Sequence, residues 1–154
     1  MTRVLIIDEQ INYRRGVKQL LELTFPSFII ETASVSLSIE KEFHPDLVIF
    51  EPGLNLQKNL TWIDSLIHKN AKVVVLSTVE SSNHNSILKL LKRNIQGFLL
   101  KNMKTEQLLE CIRIILGGDR FIHPSVANIL LDEYQEHFGK VRNTEEQSYK
   151  ITTP

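Results

Sequence analysis

One cysteine, Cys111, is all this sequence has, and a single thiol excludes an intrachain disulfide framework. That usage fits a reducing cytoplasm. Charge of either sign is missing in excess: Lys and Arg total 18, Asp and Glu total 18, and the formal net charge is +0. No overall basic field therefore draws the chain to nucleic acid or to an anionic membrane. Long apolar runs are absent too. The run before Asp8 is too short for a signal peptide, and nothing approaches the ~20 apolar residues of a membrane helix. Gly-rich phosphate loops of the dinucleotide or P-loop kind are lacking, so a nucleotide or flavin role has no motif behind it. The five histidines, His44, His68, His84, His123 and His137, are scattered and form no metal-site spacing. These absences describe a soluble, intracellular protein without a histidine metal centre.

What is present is regular. Short continuous apolar runs recur at Val4 to Ile7, Leu47 to Phe50, Val73 to Leu76 and Gly97 to Leu100, with a weaker one at Phe28 to Ile30. Unbroken runs suit strands buried on both faces, as in a parallel sheet covered by helices. Between them lie stretches with helical periodicity. Residues 14–24 put Val17, Leu20 and Leu21 on one face, and residues 60–68 do so with Trp62, Ile63, Leu66 and Ile67. Residues 83–93 and 104–116 show the same pattern, while residues 35–43 are a poorer candidate. Five strand–helix repeats predict an α/β domain with a doubly wound, five-stranded parallel sheet. Gly117 and Gly118 end the last of these helices. Pro124 opens one more, with an apolar stripe of Val126, Ile129, Leu130 and Tyr134. The expected organisation is a domain over residues 1–118, a linker helix over 119–138 and a flexible polar tail over 139–154.

In such a sheet, sites form beyond the C-terminal ends of the strands. Asp8 and Glu9 come after the first strand, Glu51 then Pro52 and Gly53 after the third, Ser77 and Thr78 after the fourth, and Lys101 after the fifth. Three acids, a hydroxyl and a lysine thus converge from four places in sequence. Clustered carboxylates repel unless a cation relieves them. A hard divalent ion such as Mg²⁺ needs only one or two of them, and with a lysine and a hydroxyl it can hold a phosphoryl group. The plainer alternative is a structural ion pair between the acids and Lys101.

These segments resemble a known family. VLIIDEQINYRRGVKQLLE at 4–22, HPDLVIFEPG at 44–53, KVVVLST at 72–78 and QGFLLKN at 96–102 are similar, in order, to receiver domains of NarL/FixJ (DegU-like) response regulators. GGDRFIHPSVANILLDEY at 117–134 is similar to the segment that joins receiver to effector there. The resemblance implies a CheY/flavodoxin-like fold with strand order 2-1-3-4-5. It makes Asp8 and Glu9 the acidic pair, with Glu9 and the Gly53 carbonyl as metal ligands. It makes Ser77 and Lys101 the phosphoryl contacts and Phe98 the switch aromatic. Glu51 falls on the phospho-acceptor position, where the family has aspartate. The proline expected four residues on is Asn55, and a later glycine is Asn59.

A pocket sized for aspartates that holds Glu51 and Glu9 is expected to phosphorylate poorly, since a misplacement on the order of 1 Å can cost ~10²-fold in rate. The reading is a signalling and dimerisation module of a two-component transcriptional regulator, largely independent of aspartyl phosphorylation, requiring no catalytic turnover and binding Mg weakly if at all. The alternatives are a working phospho-acceptor and a small-molecule-binding pseudo-receiver. The implied partners are a second copy, a histidine kinase and an attached or partner helix-turn-helix effector, with no direct DNA or membrane contact by this chain. The dimer face is open between residues 14–24, 104–116 and 124–138. Cys111 and Trp62 are expected to pack, and Lys89, Lys92 and Arg93 to form a solvated basic face.

Overall fold

The computed structural model describes residues 1–34, 43–52, 56–78 and 84–149, with the side chains of 56–57 and 138–149 outside that description. The expected helix at 35–43 falls almost entirely outside the described residues, as do Gly53 and Asn55.

The elements run β1 (Arg3–Ile7), α1 (Ile11–Thr24), β2 (Ile29–Ala33), β3 (Leu47–Phe50), α2 (Leu56–His68), β4 (Lys72–Ser77), α3 (His84–Leu91), β5 (Gly97–Leu100), α4 (Thr105–Leu116), β6 (Phe121–Ile122) and α5 (Pro124–Tyr149). The sheet order is β2-β1-β3-β4-β5-β6, and every pairing is parallel. The expected order of the first five strands holds. Two differences lie in the C-terminal segment. A sixth, two-residue strand adds to the β5 edge, with Phe98 paired to Ile122. The last helix also continues to Tyr149, past the expected end at 138 and into the tail read as flexible. The polar run carries no apolar period to mark it as helix, but a helix already nucleated at Pro124 adds residues at little further cost.

The continuous apolar runs are explained by burial on both faces. Side chains alternate across a strand, so Leu5, Ile7, Val48, Phe50, Val73 and Val75 enter one core with Ile63 of α2, Ile87 and Leu90 of α3 and Val126 of α5. Val4, Ile6, Leu47, Ile49, Val74 and Leu76 enter the other with Val17 and Leu21 of α1 and Leu108, Ile112 and Ile115 of α4. Cys111 belongs to this second core, where burial, then the Glu110 charge, raises its thiol pKa. Trp62 packs tilted on Phe50 at 5.6 Å. Gly118, at φ +104, takes the left-handed turn that ends α4, a conformation that costs glycine little. Among the described residues no helix is long and apolar enough to cross a membrane.

Candidate functional site

The strands deliver their C-terminal residues to one edge, and the ladder continues one residue past each strand to fix them. Asp8 N donates to Ala33 O at 3.2 Å, Glu51 N to Ile7 O at 2.9 Å and Lys101 N to Ser77 O at 2.9 Å. Backbone position is thus set by the sheet, leaving only short side-chain reaches to complete the site.

Four of the residues read from the sequence meet there. Lys101 Nζ lies 2.7 Å from Asp8 Oδ2 and 3.6 Å from Glu51 Oε2. Ser77 Oγ donates to Glu51 Oε1 at 3.0 Å. Asp8 and Ser77 are the buried polar residues of the described chain. Asp8 Oδ1 accepts the Gln10 N–H at 2.8 Å, which pins the turn into α1. Phe98 is buried in the core beneath the site. Glu9, by contrast, has an exposed side chain, and Gly53 lies outside the described residues.

Three contributors were not singled out in the sequence. Gln10 Oε1 accepts from Lys101 Nζ at 2.9 Å. The Tyr13 ring faces the same ammonium at 4.5 Å. Arg14 Nη1 donates to the Asp8 carbonyl at 2.6 Å. Their signal is position: each falls at the turn from β1 into α1, within reach of a residue at the strand end. Lys101 is thereby held by oxygens and a π face, a combination that suits a desolvated cation. Asn59, the departure in α2, donates to Pro52 O at 2.6 Å and so ties α2 to the loop after Glu51.

The electrostatics are uneven. Burial, the largest cause, pushes the Glu51 pKa up, with Asp8 adding to the rise; Lys101 and the Ser77 hydrogen bond oppose it. Glu51 Oε2 is buried without a hydrogen-bond partner, because 3.6 Å to Lys101 is an ion contact rather than a hydrogen bond. The Tyr13 phenol is pushed up to about 12, by burial first and then by Asp8 and Glu51.

Magnesium is the cofactor that the receiver resemblance implies; of the residues it would use, Asp8, Glu9 and Glu51 are described and Gly53 is not. Both Asp8 oxygens are already engaged, and the Glu9 side chain is exposed. Among the described residues no three His, Cys, Asp or Glu side chains gather as a metal site. The Lys101 ammonium stands where it neutralises Asp8 directly. On α3 and its flank, Lys89 and Lys92 extend a basic face, and Arg93 pairs with Asp64 at 3.3 Å.

No protein-family model matches the chain. Relatives do. It is 26% identical over 155 residues to the transcriptional regulatory protein DegU of Brevibacillus brevis, covering 97% of this chain and 63% of that protein. It is 32% identical over 140 residues to a nitrate/nitrite response regulator protein homolog of Haemophilus influenzae, covering 87% and 66%. The chain therefore spans just under two thirds of these relatives' length. Among solved structures, the response regulator ChrA of a heme-sensing two-component system matches with a TM-score of 0.64 at 25% identity, over 85% of this chain and 64% of that one. A LuxR family DNA-binding response regulator from Silicibacter pomeroyi matches with 0.66 at 26% identity, over 81% and 99%.

Proposed function

The chain is a response-regulator receiver domain of the NarL/DegU type, and on that premise we propose that it signals largely without aspartyl phosphorylation, with Glu51 standing permanently where a phosphoryl group would be made. One observation carries the reading. Glu51 takes the Ser77 hydroxyl at 3.0 Å and approaches Lys101 at 3.6 Å. These are the two groups that the resemblance assigns to holding phosphate.

The chemistry supports it. Glutamate places its carboxylate one bond, ~1.5 Å, further out than aspartate, into the space the transferred group would need. Lys101 lies 2.7 Å from Asp8 and offsets its charge. A carboxylate carries about one negative charge against the −1.5 to −2 of a phosphoryl group, so the imitation is partial.

In this role the domain performs no turnover. It acts in the cytoplasm as a signalling and dimerisation module for a helix-turn-helix effector, attached or in a partner, with a histidine kinase as an optional input. Exposed Ile11 and Leu23 on α1, and Leu130, Leu131 and Tyr134 on α5, supply apolar surface for pairing. The test is intact mass after incubation with acetyl phosphate and Mg²⁺. The wild type is expected to gain nothing, while Glu51→Asp gains one phosphoryl group. Phosphorylation of the wild type would overturn the reading and favour a working phospho-acceptor.

A further inference from the structure

A second concavity opens beside the site, between α1 and the start of α4, with a volume of about 370 Å³. That lies within the range of small-molecule pockets, roughly 300–1,000 Å³. Its body is apolar, from Tyr13, Val17, Leu20, Met103 and Leu108. Asn12, Thr105 and Lys101 add polar groups: Asn12 and Thr105 come from the first turns of α1 and α4, and Lys101, which follows β5, belongs to the acidic site itself. Along α1 the lining runs from Asn12 to Leu20, roughly 12 Å at the helical rise.

Gly16 sits in the wall of this pocket, in the middle of α1. Helix-interior glycine weakens a helix relative to alanine, so it calls for a reason. Among the described residues there is none: a Cβ placed there would meet no heavy atom within 4 Å. At Gly97, by comparison, a Cβ would meet Ile115 Cδ1 at 2.6 Å, and packing explains the residue. The open notch at Gly16 leaves room for something outside the chain.

We infer that the α1–α4 pocket binds a small molecule with an aromatic or branched apolar body and a hydrogen-bonding head, the body lying over Gly16 and the head reaching Asn12, Thr105 or Lys101. A concave volume with polar groups gathered toward one end suits such a ligand better than a flat protein face. Tyr13 and Lys101 line the pocket and also meet each other in the acidic site. Occupancy therefore presses on the residues that hold Asp8 and Glu51, which makes the ligand a regulator of that site. The inference does not depend on whether Glu51 accepts phosphate.

The probe is 4-ethylphenol, an apolar ring with one hydroxyl, titrated into the ¹⁵N-labelled full chain and followed by amide shifts. Saturable, single-site shifts confined to α1 and residues 101–108 are expected. Gly16→Leu, which fills the notch, is expected to weaken binding at least tenfold, and Thr105→Trp, which closes the pocket from the α4 side, to do the same. Gly16→Ala should keep most of it. Shifts that scatter or do not saturate overturn the proposal, as does full binding in both filled variants with unchanged circular dichroism. Sedimentation of the same proteins addresses the rival occupant: if Gly16→Leu converts a dimer to a monomer, the pocket seats a second copy and the ligand proposal fails.

Discussion

Lys101 lies 2.7 Å from Asp8 Oδ2 but 3.6 Å from Glu51 Oε2, so the ammonium belongs first to the more deeply buried of the two acids. Asp8 keeps only 5% of its side chain exposed and Lys101 12%. Removing one member of a buried pair leaves the other uncompensated, at a cost of about 3 kcal/mol. Lys101→Met is therefore expected to lose about that much in a urea titration. Asp8→Asn in the same background should recover part of the loss, because it removes the stranded charge. Additive losses would show that the two residues do not act as a pair.

Glu51 gives a pH dependence whose sign is set by its raised pKa. The folded state holds this proton more tightly than the unfolded chain does. Stability therefore falls as pH rises from the ordinary glutamate range through the raised folded value, and the penalty is complete above it. Below the ordinary range both states are protonated and the penalty vanishes. Glu51→Gln is thus expected to be more stable than wild type at pH 8, by about 1 kcal/mol for relieving an unsatisfied buried charge. The two proteins should converge as the pH is lowered. A constant gap at every pH would mean that Glu51 titrates normally in the fold.

The sheet and the pairing of Asp8, Glu51, Ser77 and Lys101 were legible because they rest on strong signals. Unbroken apolar runs at 4–7, 47–50, 73–76 and 97–100 can be buried only between two helical layers, and the residues just after those runs must then lie at one edge. Gln10 and Tyr13 were not legible, since their roles depend on where the Lys101 side chain turns and not on any spacing. Glu9 follows Asp8 and is exposed, so its reading as a metal ligand rests on the resemblance and not on a contact. Strand β6 escaped notice because two residues carry no period. The helix beyond residue 138 did so because a polar helix continued from an anchored start shows no apolar stripe.

Gly16 offers a stability test independent of any ligand. With no atom within 4 Å of an added Cβ, Gly16→Ala gains the helix preference of alanine without a clash. An increase of roughly 0.5–1 kcal/mol is expected from chemical denaturation. A loss instead would reveal a contact across the notch, as from a second copy in solution.

Gly97 is the opposite case, and it connects the site to the C-terminal helix. It opens β5 one residue before Phe98, opposite Phe121 in the register with β6. A Cβ there would lie 2.6 Å from Ile115 Cδ1 and 3.2 Å from Phe121 O. The first neighbour is a side-chain tip that can turn away; the second is backbone and cannot without moving β6. His123 N donates to Phe98 O at 2.9 Å, and Val126, fully buried in the core, anchors the first turn of α5. Displacing β6 therefore loosens the seat of α5 as well as the α4 packing. Gly97→Ala is expected to cost about 2 kcal/mol, as overpacking does. Ile115→Val, which shortens the side chain in the way, should recover the α4 share of that loss and leave the β6 share. Hydrogen exchange separates the two: in Gly97→Ala the amides of Phe121, His123 and Val126 should exchange faster even with Ile115→Val present. If the double variant restores their protection fully, Ile115 alone set the strain, and β6 is not the link between Phe98 and the C-terminal helix.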